Sequence, residues 1–93
     1  MKFRIAADHP ALPGHFPGRP IVPGVVILDH VQQAIEREHG VFTTPIKLAQ
    51  VKFVQPLLPE QDAEIAIEAA THGWKFRVRR GDALIASGDI ASA

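Results

Sequence analysis

The sequence has 93 residues, no cysteine, and equal numbers of basic and acidic side chains, with 10 Lys+Arg and 10 Asp+Glu. This length corresponds to a single domain over residues 1–93. The zero net charge argues against a nucleic-acid-binding protein, which would usually carry a basic excess, and the absence of cysteine excludes disulfides, thiolate metal sites and thiol nucleophiles.

No part of the sequence has the features of a membrane or targeting segment. The longest apolar stretch, residues 21–28, is interrupted by Pro23 and Gly24, and it is far shorter than the roughly 20 residues that span a bilayer. The first residues lack the apolar core of a secretory signal. We therefore expect a cytoplasmic protein that does not interact with membranes.

The first half of the chain is predicted to contain a strand, a loop and a helix. Residues 2–6 alternate between polar and apolar, which is typical of a short strand. Residues 8–23 contain five prolines in sixteen positions, which excludes a helix or a central strand and predicts an ordered loop with fixed backbone angles. A helix is predicted over residues 24–39, with Gly40 as its terminating residue.

The predicted helix has a core-facing stripe and one unexplained polar position. The stripe consists of Ile27, Leu28, Val31, Ala34 and Ile35. The first turn and a half is apolar nearly all round, which predicts that this half of the helix is deeply buried. Asp29 lies far from the stripe and close to Gln33, so this face is either solvated or in contact with a second protein surface.

The second half of the chain is predicted to form antiparallel strands. Alternating patterns and turn residues place them at residues 47–54, 63–70, 74–80 and 83–91. Phe53, Trp74 and Phe76 are expected to be core aromatics. One long helix and about five strands predict an α+β protein in which a curled antiparallel sheet wraps round one central helix.

Three features that could support catalysis occur between Gly14 and Asp29. His15 lies in a loop stiffened by glycine and proline, so the backbone sets its position. Pro23-Gly24 begins a helix whose first N–H groups lack intrahelical partners. Asp29 is five residues further along, about 7–8 Å at 1.5 Å per residue. A base, an acid and backbone donors are what proton abstraction beside a carbonyl requires.

The same segment resembles a known family. The run GHFPGRPIVPGVVILDHVQQ, residues 14–33, resembles the signature of the beta-hydroxyacyl-(acyl carrier protein) dehydratases. The run KFVQPLLP, residues 52–59, is similar to the strand that leads into that family's proline-rich corner. The resemblance implies the hot-dog fold and the β-elimination of water from a 3-hydroxyacyl thioester in acyl-chain biosynthesis. The substrate would be carried on the phosphopantetheine of acyl carrier protein, and no metal or redox cofactor is implied.

The resemblance also implies roles for individual residues. His15 corresponds to the base that takes the α-proton, and Asp29 to the acid that assists departure of the β-hydroxyl. Gly24 corresponds to the residue whose backbone N–H stabilises the thioester oxygen, and Gln33 to a glutamine that holds the acid. In the family the base and acid of one site come from opposite subunits, which implies a homodimer or higher homo-oligomer. Arg19, beside His15, is a candidate contact for the acidic carrier protein.

The sequence departs from the family pattern at two positions and does not match a metal site. His30 stands where a small residue is usual, and Glu60 stands where glycine is common. A metal site could be assembled from His9, His15, Asp29 and His30, but their spacing matches no zinc template.

The sequence is also compatible with two other functions and with a second docking surface. One is a hot-dog acyl thioesterase in which the acid activates water, although His15 in its GHFP segment argues against it. The other is a non-catalytic acyl-binding or assembly module that keeps the motif for folding. Lys75, Arg77 and Arg79 share one strand face, which is either a docking patch for the carrier protein or an ordinary solvated strand face.

Overall fold

The structure, a computed structural model, describes residues 1–10, 12, 21–42 and 45–92. Within these residues the chain forms one helix and five strands. Their order is β1 (Lys2–Phe3), α1 (Gly24–His39), β2 (Ile46–Phe53), β3 (Ala63–Ala70), β4 (Gly73–Arg80) and β5 (Ala83–Ser92). The helix in this described part of the chain is too short and too polar to cross a membrane.

The strands form one antiparallel sheet with the order β1-β3-β4-β5-β2. The connection that contains α1 therefore links the two edge strands. β2 is irregular between Ala49 and Lys52, where Gln50 has a φ of 53°. An extra residue of this kind is a β-bulge, which increases the local twist of the strand.

The core lies between the inner face of the sheet and α1. β4 alternates as its sequence predicts, with Phe76 and Val78 buried and the intervening Arg77 exposed. The buried helix residues are Ile27, Val31, Ala34 and Ile35. Full burial of an aliphatic or aromatic side chain of this size contributes about 1.5–3 kcal/mol, so this packing is what holds the helix against the sheet.

Most of the predicted elements are confirmed. The helix has the predicted bounds, and it ends at Gly40, whose φ of 93° is accessible mainly to glycine and whose N–H donates to the carbonyl of Glu36. The strand at 63–70 is also confirmed; β4 and β5 differ from the predictions by one residue at one end, and β2 differs by one residue at each end. The arrangement of a five-stranded antiparallel sheet around one long helix is confirmed as well.

Three expectations about the fold are wrong. The strand predicted over residues 2–6 ends at Phe3; beyond it the backbone bonds to Glu60 of the β2–β3 connection, whose N–H donates to the Ile5 carbonyl and whose carboxylate accepts the Ala7 N–H. The first half of the helix is not deeply buried, since Val25 is 73% exposed on the side that faces away from the sheet. Phe53 is not a core aromatic, because it lies at the end of an edge strand and is 50% exposed.

Candidate active site

The beginning of α1 presents backbone donors without a side-chain cap. Pro23 precedes the helix in an extended conformation, and no side chain of the described residues caps this end. The N–H groups of Val26 and Ile27 donate to the carbonyl of Pro23 at 3.0 and 3.3 Å. The N–H of Gly24, the first residue of the helix, is one of the N–H groups that have no intrahelical acceptor. It lies at the positive end of the helix dipole.

Gly24 is in close contact with the ring of Phe53. A Cβ atom placed on Gly24 would lie 2.6 Å from Cζ of Phe53, so a side chain at this position would require the ring to shift. Glycine at this position therefore allows the aromatic ring of β2 to lie directly on the helix terminus. The contact joins two residues that are far apart in the sequence.

A mostly apolar groove opens at this point. It has a volume of about 340 Å³, and its lining includes Val22, Pro23, Gly24, Ile27, Phe53 and Leu57. The groove lies between the helix terminus and the β2–β3 connection. Apolar walls beside a backbone donor are suited to a chain of methylene groups that ends in a carbonyl.

Asp29 is bound to Gln33 on the exposed side of α1. The Gln33 side-chain amide donates a hydrogen bond of 2.8 Å from Nε2 to Oδ2 of Asp29. The two residues are four apart, which places them on one face of the helix. Val25 lies four residues before Asp29 on the same face. The described lining of the apolar groove does not include Asp29.

His30 adjoins this face, and its ring is held by an aromatic contact. The imidazole stacks on Phe3 with a centroid distance of 4.6 Å and an interplanar angle of 12°. Its Nδ1 atom is inaccessible to solvent and has no hydrogen-bond partner among the described residues. Partial burial lowers the pKa of His30; the charge of His9 lowers it further, and the charge of Asp29 opposes the shift.

Several large apolar side chains around the site are exposed in the single chain. They are Val25 at 73%, Val54 at 54%, Phe53 at 50% and Leu48 at 42%. Val25 belongs to the start of α1, and the other three belong to the edge strand β2 or follow it. A cluster of this kind beside an unpaired strand edge is typical of a surface that another polypeptide covers.

The structure places three of the five residues singled out from the sequence. Asp29 and Gln33 are brought into contact, and Gly24 begins the helix as predicted. His15 and Arg19 lie outside the described residues. The described part of the chain contains no group of three or more side chains suited to hold a metal ion.

Phe53 is a site residue that the sequence analysis placed in the core instead. Its ring forms part of the groove and lies so close to Gly24 that a side chain at position 24 would require the ring to shift. The available signal was the pair Phe53-Val54, two consecutive apolar residues at the end of a strand. An alternating strand has room for only one of them on its inner face.

Comparisons with known proteins agree with this architecture. The family model described as ApeI-like, ApeI dehydratase, matches residues 1–89. The chain is 32% identical over 95 residues to the 3-hydroxyacyl-(acyl-carrier-protein) dehydratase FabZ of Haemophilus influenzae strain PittEE, covering 94% of this chain and 64% of that protein. The FabZ of Chloroflexus aggregans is 36% identical over 83 residues, covering 86% of this chain and 46% of that protein.

The fold is shared with a solved structure, the dehydratase heterocomplex ApeI:P from Xenorhabdus doucetiae. The TM-score is 0.85, with 24% sequence identity, and the match covers 97% of this chain and 81% of that chain. The α+β hot-dog fold is therefore confirmed. The chain belongs to the ApeI-like dehydratase family, and it spans between about half and two thirds of the length of these FabZ relatives.

Proposed function

We propose that this protein is a dehydratase that removes water from a 3-hydroxyacyl thioester on acyl carrier protein and releases the 2-enoyl thioester. The observation that carries the proposal is the arrangement on α1. An uncapped helix terminus faces an apolar groove, and a carboxylate held by an amide lies five residues further along the same helix. Membership of the dehydratase family supports the same reaction.

In the proposed mechanism the thioester carbonyl accepts a hydrogen bond from the Gly24 N–H. His15 removes a proton from C2, and the electron pair moves towards the carbonyl, where the helix terminus stabilises the negative charge. The electrons then form the C2–C3 double bond as the C3–O bond breaks. Asp29, in its acid form, gives its proton to the departing hydroxyl, so that water leaves.

The proposed reaction has a simple balance. Substrate and product differ by one molecule of water, so carbon is neither oxidised nor reduced overall and no redox cofactor is needed. After turnover His15 holds the proton from C2, and Asp29 is ionised. One proton transfer from His15 to Asp29, direct or through water, restores both groups. The bond from Gln33 occupies Oδ2 of Asp29, so Oδ1 is the oxygen proposed to act on the substrate.

We further propose that the site forms between two copies of this chain, with His15 of one facing Asp29 of the other. The exposed apolar side chains near the helix start and along β2 support a covered surface there. Asp29 is exposed in the single chain and does not line the groove, so a second subunit is needed to enclose it. The solved neighbour is a heterocomplex, which makes a different second chain the alternative outcome.

The proposed carrier-protein contact is supported by the charge pattern on the outer face of the sheet. Lys75 lies opposite a carboxylate on each side, Glu68 in β3 and Asp89 in β5. Arg79 likewise lies opposite Glu64. These two cations have neighbours that reduce their local potential, as expected for an ordinary solvated strand face.

Arg77 and Lys52 differ from those cations. Arg77 lies opposite Ala66 and Ser87, and Ser87 in turn lies opposite Lys52 of β2. The described chain has no ion pair that includes either cation. These positive side chains line a polar surface groove of about 200 Å³ together with Lys75 and Asp89. Three cations therefore share the groove with one carboxylate, and this positive excess would attract an acidic protein. We therefore propose Arg77 and Lys52, together with Arg19, as the contact for acyl carrier protein.

The test is an assay of purified protein with a 3-hydroxyacyl thioester and, in reverse, with a 2-enoyl thioester, followed by the ultraviolet absorbance of the conjugated product. We expect His15→Ala and Asp29→Asn to lower kcat at least about 10²-fold. Glu38→Gln removes a carboxylate from the same helix outside the site, so it should retain wild-type activity. Release of free thiol without enoyl product would instead indicate the thioesterase.

Absence of both activities, with acyl thioesters still bound, would indicate the non-catalytic module. The proposed cytoplasmic location is checked separately by fractionation of the native host.

A further inference from the structure

The connection between β2 and β3, residues 54–62, contacts the chain on both sides of the segment that contains His15. On the upstream side, the N–H of Glu60 donates to the carbonyl of Ile5, and the N–H of Ala7 donates to the Glu60 carboxylate, both at 2.8 Å. On the downstream side, the N–H of Val22 donates to the carbonyl of Leu57, also at 2.8 Å. One short connection therefore holds both flanks.

The upstream flank leads to within three residues of His15. The N–H of His9 donates to the carbonyl of Ala6, and the N–H of Leu12 donates to the carbonyl of His9, each at 3.0 Å. The side chain of Leu12 is buried in the core. A displacement of Ala7 would therefore be transmitted through two successive turns to a residue close to the proposed base.

Glu60 has an unusual backbone conformation for its residue type. Its φ of 67° lies in the left-handed region that favours glycine. A non-glycine residue persists there only when surrounding contacts hold it. The carboxylate is one such contact, because its Oε1 accepts the Ala7 N–H, and glycine would remove this bond while relieving the backbone.

The neighbouring residues stiffen the same connection. The Gln61 side chain accepts the N–H of Leu58 at 3.0 Å, and the Arg4 guanidinium donates to Asp62 at 2.7 Å. The hydrogen bond from Arg4 lowers the pKa of Asp62, so the carboxylate stays ionised at neutral pH. Glu60 thus acts from a braced position, from which its carboxylate accepts the Ala7 N–H.

We propose that Glu60 is a positioning residue for the dehydration reaction, because its carboxylate holds, through Ala7, the chain that leads to the base His15. This inference rests on the proposed function. Glu60 does not touch the substrate, and it acts through its bond to the Ala7 N–H. Loss of its side chain should therefore lower kcat with little change in KM, because productive alignment is lost while substrate binding is retained.

Three variants separate this role from a general effect on folding. Glu60→Gly relieves the backbone and removes the acceptor, and Glu60→Asn tolerates the same φ with a side chain too short to reach Ala7. Both should lower kcat about tenfold or more, given that displacements near 1 Å can cost about 10²-fold, while their thermal stability stays close to that of the wild type. Glu60→Gln keeps an amide oxygen as the acceptor and should retain kcat.

The imidazole resonances of His15, assigned by comparison with His15→Ala, provide a readout that does not depend on turnover. We expect them to shift or broaden in Glu60→Gly and Glu60→Asn and to match the wild type in Glu60→Gln. Unchanged kcat and unchanged His15 resonances in both shortened variants would overturn the inference. A wild-type protein without dehydratase activity would reject the proposed function, and the resonances would still decide whether Glu60 positions His15.

Discussion

The Gln33 amide and the Asp29 carboxylate form a hydrogen bond of 2.8 Å on the exposed face of α1. A donor on Oδ2 fixes the orientation of the carboxyl group, so the second oxygen has a defined direction. Two exposed polar side chains gain little stability from such a bond in water, about 0.5–1.5 kcal/mol at most. Its importance should therefore appear in catalysis, where orientation matters, and much less in folding.

Replacement of Gln33 tests this orientation. We expect Gln33→Ala to lower kcat about tenfold, because the carboxyl group of Asp29 can then rotate away from the reacting hydroxyl. Its melting temperature should change little, since Gln33 is exposed. Gln32→Ala, one residue earlier and outside this hydrogen bond, is the matched control and should retain kcat. Equal losses in the two variants would indicate a general effect on the helix.

The contact between Gly24 and Phe53 predicts that a loss of activity in Gly24→Ala is partly restored by Phe53→Ala. Gly24→Ala places a methyl group 2.6 Å from the ring, so the ring or the helix terminus must move and kcat should fall. Phe53→Ala removes the obstacle at the expense of part of the groove. The double variant Gly24→Ala/Phe53→Ala should therefore be more active than the two single effects added together, with a coupling of about 0.5–3 kcal/mol. Additive effects would show that the close contact is not what requires glycine.

The sequence predicts well the features that depend on residues close together in the chain, such as helix bounds. It predicts poorly the burial of side chains, which depends on the surfaces that cover them. The bounds of α1 follow from Pro23, Gly40 and an apolar period between them, and the Asp29–Gln33 contact follows from a spacing of four on a helix. The exposure of Val25 has no local signal, because the same apolar residue would be buried if a second polypeptide covered it.

The sequence analysis missed the roles of Phe53 and Glu60 because both depend on contacts between residues far apart in the chain. The contact of Phe53 with Gly24 joins positions 29 apart in the chain. The polar and apolar pattern of a single helix or strand cannot predict a contact of this kind. The role of Glu60 depends on a left-handed backbone angle and on a bond to a residue 53 positions away. Such contacts become visible only when the β2–β3 connection is placed next to the first residues of the chain.

Stability should fall at mildly acidic pH because of His30. Burial lowers its pKa in the folded protein, whereas in the unfolded chain it titrates near its ordinary value of about 6.5. As the pH falls through that value, the unfolded state binds a proton before the folded state does, which favours unfolding. The contribution of His30 is therefore fully present above about pH 6.5 and is lost towards its folded-state pKa.

Denaturant titrations of His30→Gln at several pH values check this. The variant should lose less stability than the wild type between neutral pH and pH 5. His72→Gln, which removes an exposed histidine in the turn between β3 and β4, should follow the wild-type curve. If His30→Gln and the wild type lose stability in parallel, burial of this imidazole does not control the acid sensitivity.

The carrier-protein surface predicts a difference between two arginines of one strand. Arg77→Glu should raise KM for a substrate on acyl carrier protein about tenfold, because it reverses a charge that has no carboxylate directly opposite it in β3 or β5. Its kcat/KM for a short thioester without the carrier should be unchanged. Arg79→Glu, whose neighbour is Glu64, should have a smaller effect on the carrier-bound substrate, and equal effects of both substitutions would indicate only general charge attraction.

The proposal that two subunits contribute residues to one site can be tested by mixing two variants, each of which is inactive by itself. A protomer with His15→Ala still supplies Asp29, and a protomer with Asp29→Asn still supplies His15. If the two residues of a site come from opposite subunits, a mixed dimer contains one intact site and one site that lacks both groups. After random exchange half of the dimers are mixed, so about a quarter of the wild-type activity should return.

Activity that stays at the level of either variant after exchange, verified by mass spectrometry of differently tagged protomers, would place both residues in one subunit. Activity of the wild type that appears only when a second, different chain is added would assign the opposite side of the site to that chain. Recovery without any added protein would show that two copies of this chain complete the site. The same experiment therefore distinguishes a homodimer from an assembly of two different chains.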